Sequence, residues 1–255
     1  MDLGLKGKKA IVTGSTKGIG RRIVNLLADE GVDVAVCSRT AVDVEAAVAA
    51  LGAKGVKAIG DAVDVKDKEA YISWINSSAE QLGGLDIFVP NVSGVGGGGD
   101  EEDWRNLFEV DILGAVRGCE TAQPHLKKSD AGAIVLISSV SALEASAIPE
   151  LRAYGSFKAA LISYGAQLSQ ALAPEGIRVN TVSPGPIEFE GGFWDYARTN
   201  ITELYQSVLD DMPIGRMGSP EEVANAVVFL SSPVASLITG SNLLVDGGCT
   251  KHVDY

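Results

Sequence analysis

The sequence predicts a doubly wound α/β fold, three layers around a mainly parallel seven-stranded sheet. Two observations carry this. Short, β-branched apolar runs alternate with segments of helical periodicity from Ala10 to Val245, and polar or glycine-rich residues follow the C-terminal end of nearly every run. No linker, low-complexity tract or repeat interrupts the 255 residues, so a single domain, residues 1–255, is expected.

The elements read in order. Ala10–Thr13 is a buried strand, and Gly14-Ser15-Thr16-Lys17-Gly18-Ile19-Gly20 follows at once. Arg21–Glu30 then carries Ile23, Leu26 and Leu27 at helical spacing up to Gly31. Strand, glycine turn and helix form the setting that a dinucleotide fingerprint requires. The glycines allow close backbone approach to a pyrophosphate, and the helix start supplies free N–H groups. Asp33–Cys37 is the second strand, and its end would face the adenosine ribose. An acidic residue there would repel a 2′-phosphate. The chain has Ser38 and Arg39 instead, with Lys17 in the glycine turn, which favours NADP(H) over NAD(H).

Val42–Leu51 is an alanine-rich helix, Val56–Ile59 a third strand, and Asp67–Leu82 a helix burying Tyr71, Ile72, Ile75, Ala79 and Leu82. Leu85–Val89 is the fourth strand, with Asn91 just beyond its C-terminal end, where open α/β sheets bind ligands. Gly96–Gly99 is a loop near the pocket mouth or a plain surface connection. Glu101–Pro124 reads as one long helix with Trp104, Leu107, Phe108, Ile112, Ala115 and Val116 inward. Ala133–Ile137, Arg152–Leu172 and Ile177–Val182 give strand, helix and strand. Phe189–Asp211 is irregular or helical. Ser219-Pro220-Glu221-Glu222 starts a helix, with Ser as cap and Glu in the third helical position, and Asn242–Val245 is the last strand.

Composition narrows the function. A hydrophobic share of 46% supplies a sizeable core, while a net charge of −12 argues against nucleic acid or an anionic membrane as partner. No apolar run approaches the ~18 residues of a membrane span. Lys6, Lys8 and Lys9 break any signal-like run. Cys37, Cys119 and Cys249 are far apart without CxxC spacing, and only His125 and His252 could join them, so no metal site is expected. A soluble cytoplasmic protein is expected.

Ser139 ends the fifth strand, and Tyr154 and Lys158 lie four residues apart on a helical segment, hence on one face. A fixed ammonium beside a phenol favours the phenolate, and a serine hydroxyl can share the atom the phenol protonates. Gly14, Asn91, Ser139 and Pro184–Ile187 all fall at strand ends, which draws them into one cleft.

With these motifs in order, the chain resembles the short-chain dehydrogenase/reductase family, in its single-domain, 3-oxoacyl-ACP-reductase-like branch with a Rossmann-type fold. Thr13–Gly20 looks like the family's TGxxxGIG turn, Asp64-Val65 like the pair beside the adenine, and Asn91-Val92-Ser93 stands where Asn-Ala-Gly is usual. Ser139, Tyr154 and Lys158 match the catalytic Ser and YxxxK, and Arg178-Val179-Asn180, Pro184 and Gly185 match the segment beside the nicotinamide. Pro213–Arg216, Pro220–Ala224, Thr239-Gly240 and Val245–Gly248 match the C-terminal signature.

The resemblance implies hydride transfer between NADP(H) and a small-molecule carbonyl compound or secondary alcohol. It implies Tyr154 as acid/base, Lys158 on the nicotinamide ribose, Ser139 on the substrate oxygen and Ile187 on the carboxamide through its backbone. It also implies a homotetramer or homodimer, and a substrate loop at about 188–212. Three departures stand out. Asp111 replaces the usual Asn, and serves either a proton relay or helix packing. Tyr154 follows Ser139 by 15 positions, a long interval that enlarges the pocket wall over Leu143–Leu151, where Glu144, Glu150 and Arg152 can add polar contacts. Phe189 stands about where a Thr often touches the carboxamide. Aromatics Phe193, Trp194, Tyr196 and Tyr205 suit a cyclic or apolar substrate, or pack the loop onto the core or another subunit. The competing readings are an NAD-dependent alcohol or sugar dehydrogenase and a non-catalytic NADP(H)-binding sensor.

Overall fold

The computed structural model describes residues 2–94, 99–145 and 149–251, the side chains of 149 and 150 excepted. Its elements run β1 Lys9–Thr13, α1 Gly18–Asp29, β2 Asp33–Ser38, α2 Ala41–Gly52, β3 Ala58–Ala62, α3 Lys68–Leu82, β4 Ile87–Val89 and α4 Glu101–Leu107. They continue with α5 Gly114–Leu126, β5 Ala133–Ile137, α6 Pro149–Leu172, β6 Arg178–Pro184, α7 Phe193–Asn200, α8 Thr202–Asp210, α9 Pro220–Ser231 and β7 Asn242–Val245. The strands form one parallel sheet in the order β3-β2-β1-β4-β5-β6-β7. The order reverses between β1 and β4, and ligands of such sheets bind at that crevice.

Both faces of the sheet are covered, so the central strands are apolar on both sides. Val12, Val34, Val36, Val89 and Val135 pack against α1, α2 and α9. Ile11, Ala35, Phe88, Ile134 and Leu136 pack against α3, α5 and α6. Each of these valine, isoleucine, leucine and phenylalanine side chains contributes about 1.5–3 kcal/mol on burial, and Ala35 less. At the start of β6, Arg178 donates to the carbonyls of Leu230, Ser231 and Ser232 at 2.6, 3.3 and 3.0 Å, closing the C-terminal end of α9 against that strand. No helix among the described residues is long and apolar enough to cross a membrane.

Three expectations need correction. Strand β3 lies over Ala58–Ala62 rather than Val56–Ile59. It is an edge strand ending in exposed Asp61 and Ala62, so its pairing is not written in apolar residues. Gly60 is required within it, because a Cβ would come 2.6 Å from the Val36 carbonyl oxygen. Trp104 and Phe108 do not point inward: they are 37% and 42% exposed and meet Phe157 of α6 with ring centroids 5.4 and 5.9 Å apart. The cause is a π-helical turn over Phe108–Leu113 between α4 and α5. The wider turn shifts the phase of the helix, turning Phe108 outward and Asp111 inward. The helix also passes through Pro124 and ends at Leu126.

Candidate active site

The C-terminal ends of β1, β4, β5 and β6 converge as expected. The β1–α1 turn is a cradle without side chains. Gly14 and Gly18 have φ of +61° and +53°, a region that glycine adopts at little cost. A Cβ on Gly20 would lie 2.3 Å from the Gly14 carbonyl oxygen and 2.5 Å from Asn91 Nδ2. Asn91 holds the turn from the neighbouring strand. Its backbone N–H donates to Thr13 Oγ1 at 3.0 Å, and its amide donates to the carbonyls of Thr13 and Gly14 at 3.1 and 3.0 Å. Ser15 is buried, with its hydroxyl donating to the Val12 carbonyl at 2.7 Å. Thr16 and Ile19 are half-buried.

Helix α1 starts at this cradle without a side-chain cap and with no acidic residue in its first turn. Helices α3, α4 and α9 are capped by Asp67, Asp100 and Ser219. Uncapped N–H groups beside a cradle that a Cβ would fill fit the pyrophosphate of a dinucleotide. Ser38 ends β2 in a half-buried position, while Arg39 is exposed and forms no ion pair among the described residues. Lys17 pairs with Asp43 of α2 at 3.0 Å. Asp64 is half-buried, its Oδ1 taking the Lys66 N–H at 3.0 Å, and Val65 is buried beside it.

The second wall is built on β5 and α6. Ser139 Oγ accepts the Ser141 N–H at 3.1 Å, at the head of a short 3-10 turn over Val140–Ala142. That turn packs directly on α6: a Cβ on Gly155 would lie 2.6 Å from the Ser141 carbonyl oxygen. Ser138 Oγ donates to the Lys158 carbonyl at 2.7 Å, a second tie between β5 and α6. Tyr154 is half-buried, and Lys158 Nζ lies 5.5 Å from the centroid of its ring.

Lys158 and Asp111 are each 2% exposed and form a direct ion pair, Nζ to Oδ1 at 2.9 Å. Lys158 also donates to the Ile137 carbonyl at 3.1 Å. Asp111 Oδ1 accepts the Ser93 hydroxyl at 2.8 Å, and Oδ2 accepts the Gly94 N–H at 2.7 Å. Burial is the largest influence on the ammonium and pulls its pKa down. The charges of Asp111 and Tyr154 and the Asp111 hydrogen bond outweigh it, so Lys158 stands above the ordinary lysine value. Burial pushes the Cys37 thiol under the glycine turn up to about 12, which leaves it protonated and unreactive at neutral pH.

The third wall follows β6. Gly185 packs on the backbone of Asp246, and its N–H donates to the Val245 carbonyl at 3.0 Å, with Pro184 in register with Val245. Ile187 is buried and bridges Gly218. Phe189 lies across the glycine turn, its ring 2.8 Å from where a Cβ of Gly18 would stand. Glu188 Oε2 accepts the Tyr205 hydroxyl at 3.0 Å and its Oε1 faces Arg198 at 3.4 Å, tying α7 and α8 to the base of the loop. Phe193 and Tyr196 are exposed rather than packed on the core. The glycine run lies, apart from Gly99, outside the described residues, as do residues 146–148 of the lengthened wall and the side chain of Glu150.

Sequence reasoning missed the close packing at Gly155, Ser93 as a partner of Asp111, and Asp43 as the ion-pair partner of Lys17. Only Gly155 had a local signal, as the glycine directly after Tyr154 in a helix.

The sequence matches the family model of enoyl-(acyl carrier protein) reductases over residues 14–250. It is 39% identical over 250 residues to an isoepoxydon dehydrogenase of Penicillium expansum, covering 96% of this chain and 95% of that one. L-sorbose reductase from Gluconobacter frateurii, solved with NADPH and L-sorbose, superposes with a TM-score of 0.91 at 33% identity, over 99% of this chain and 100% of that chain. NAD+-bound xylitol dehydrogenase superposes with a TM-score of 0.90 at 26% identity, over 96% and 99%. With the glycine cradle, the strand-end cleft and the order of the sheet, these matches establish that the chain belongs to the short-chain dehydrogenase/reductase family and is an NAD(P)-dependent oxidoreductase acting on CH–OH and C=O groups.

Proposed function

We propose that the protein is an NADP(H)-dependent reductase of a small carbonyl compound, or dehydrogenase of the corresponding secondary alcohol, with Tyr154 as its acid/base. The observation that carries this is the packing of the Ser139 turn on α6 at Gly155, with Tyr154 beside it and buried Lys158 one helical turn beyond.

A bound nicotinamide supplies the hydride. Ser139 uses a lone pair on the Ser141 N–H and keeps its own proton for the substrate oxygen, where negative charge develops. Tyr154 gives its hydroxyl proton to that oxygen, and Lys158 stabilises the phenolate left behind. Two of the three Lys158 donors are spent on Asp111 and the Ile137 carbonyl, and the third serves the nicotinamide ribose. Asp111 fixes the ammonium and joins it to Ser93, a route for proton return. Gly14–Gly20 and Asn91 hold the pyrophosphate side, Asp64 and Val65 the adenine, and Pro184, Gly185 and Ile187 the nicotinamide side.

Lys17 and Arg39, with no acid at the end of β2, favour the 2′-phosphate. The likeness to an NADPH-bound reductase supports this, and the likeness to NAD+-bound xylitol dehydrogenase supports an NAD-dependent second reading. The relatives' names put L-sorbose and isoepoxydon first among substrates to test. The exposed Trp104 and Phe108 give a face for a second copy, in a homodimer or homotetramer. Unbridged cysteines fit a cytoplasmic setting.

The test follows NADPH and NADH oxidation across a panel of sugars and cyclic ketones, with NADPH binding measured by fluorescence. Tyr154→Phe should bind NADPH as the parent does and turn over less than a thousandth as fast. Retained turnover removes Tyr154 from the mechanism; turnover with NADH alone installs the second reading. Tight NADPH binding without turnover on any carbonyl identifies a sensor.

A further inference from the structure

We propose that Asp43 is a specificity-determining residue for the cofactor: it holds Lys17 in an ion pair and so tempers the preference for a 2′-phosphate. This rests on the NADP(H) reading above and adds a residue to it. Lys17 is the cap residue of α1, inside the glycine turn, and Asp43 stands in the first turn of α2, directly after Ser38-Arg39-Thr40. The two segments meet because the Ser15 N–H donates to the Cys37 carbonyl at 3.2 Å. Lys17 Nζ lies 3.0 Å from Asp43 Oδ2, with the lysine side chain 75% exposed and the aspartate 30% exposed. Of the two cations offered to the ribose end, Arg39 has no ionic partner among the described residues, while Lys17 already has one.

A 2′-phosphate must therefore compete with Asp43 for Lys17 and tolerate its carboxylate nearby. The ribose hydroxyls of NADH bring no such charge. An exposed pair of this kind is weak, so the phosphate can win Lys17 at a cost of a few-fold in affinity. The arrangement leaves NADH able to enter and narrows the gap between the two cofactors.

The experiment measures dissociation constants for NADPH and NADH by fluorescence at fixed ionic strength, for the parent, Asp43→Asn, Lys17→Gln and the double variant. Asp43→Asn should tighten NADPH by about two- to five-fold. It should leave NADH unchanged and do nothing for NADPH once Lys17 is replaced. An unchanged or weaker NADPH constant overturns the proposal. So does an equal gain for NADH, or a gain that persists without Lys17. A parent that binds NADH more tightly than NADPH would sink the NADP(H) reading alone, since a Lys17-dependent gain in Asp43→Asn would still establish the role of Asp43.

Discussion

Asp111 on the π turn meets Lys158 of α6, Oδ1 to Nζ at 2.9 Å, with each residue 2% exposed. Breaking a buried pair strands a charge. Asp111→Ala should therefore lower stability by about 3–5 kcal/mol, read from urea midpoints. The raised pKa of Lys158 gives the pair a pH signature. Its contribution is complete below the ordinary lysine value and is lost as pH rises through the higher folded one. The stability lead of the parent over Lys158→Met should thus shrink only on the alkaline side. In Asp111→Asn, burial acts on the ammonium without the opposing charge. The alkaline limb of kcat/KM should then move to lower pH, and an unmoved limb would make Asp111 a packing carboxylate.

The glycine cradle gives a separate readout. A Cβ on Gly20 would stand 2.3 Å from the Gly14 carbonyl oxygen and 2.5 Å from Asn91 Nδ2, so Gly20→Ala must displace both. Overpacking of this kind costs about 1–3 kcal/mol in stability. The displaced turn should also weaken NADPH binding at least ten-fold, which fluorescence titration checks. Binding within two-fold of the parent would mean that the turn does not carry the pyrophosphate.

How much of this was legible in the sequence follows from which contacts are local. The glycine turn after β1, Ser139 after β5 and the Ser219 cap of α9 are signals within a few residues, and all three stand where expected. Strand β3 lies beyond the apolar run at Val56–Ile59 because its pairing is backbone work at an edge, with Gly60 required by the Val36 carbonyl across the sheet. Trp104 and Phe108 face outward against the regular helical period because the π turn at Phe108–Leu113 leaves no local mark in the sequence. Asp111 stands out in the sequence as a carboxylate between apolar residues, yet its bonds to Ser93 and Gly94 reach 18 and 17 residues back along the chain. The Lys17–Asp43 pair likewise joins two strand ends that only the parallel sheet makes neighbours.

Glu222 offers an acid-side test. It closes the capping box with Ser219, its Oε2 accepting the Ser219 N–H at 2.8 Å, and takes Arg216 on both oxygens at 2.9 and 2.6 Å. The Arg216 hydrogen bonds, then the Ser219 N–H, hold the carboxyl down to about 2. A depressed carboxylate stabilises the fold above its unfolded pKa and loses that contribution as pH falls through the folded value. Glu222→Gln should therefore be less stable at neutral pH by up to about 1 kcal/mol, since Arg216 and Glu222 are both partly exposed. The difference should fade between the ordinary glutamate range and pH about 2. A constant difference across that window in thermal melts would assign the effect to shape rather than charge.

Gly155 separates assembly of the reacting groups from cofactor binding. It sits between Tyr154 and Lys158 on the face of α6 that meets the 3-10 turn, and a Cβ there would come 2.6 Å from the Ser141 carbonyl oxygen. Gly155→Ala must push that turn away from α6, carrying Ser139 from Tyr154, while the glycine cradle on β1 is untouched. A misplacement of roughly 1 Å at a reacting centre can cost about 10²-fold in rate. The variant should therefore lose kcat by that order while its NADPH dissociation constant stays within two-fold. Loss of both together would show that α6 as a whole has shifted, and an unchanged kcat would mean that Ser139 need not be held against Tyr154.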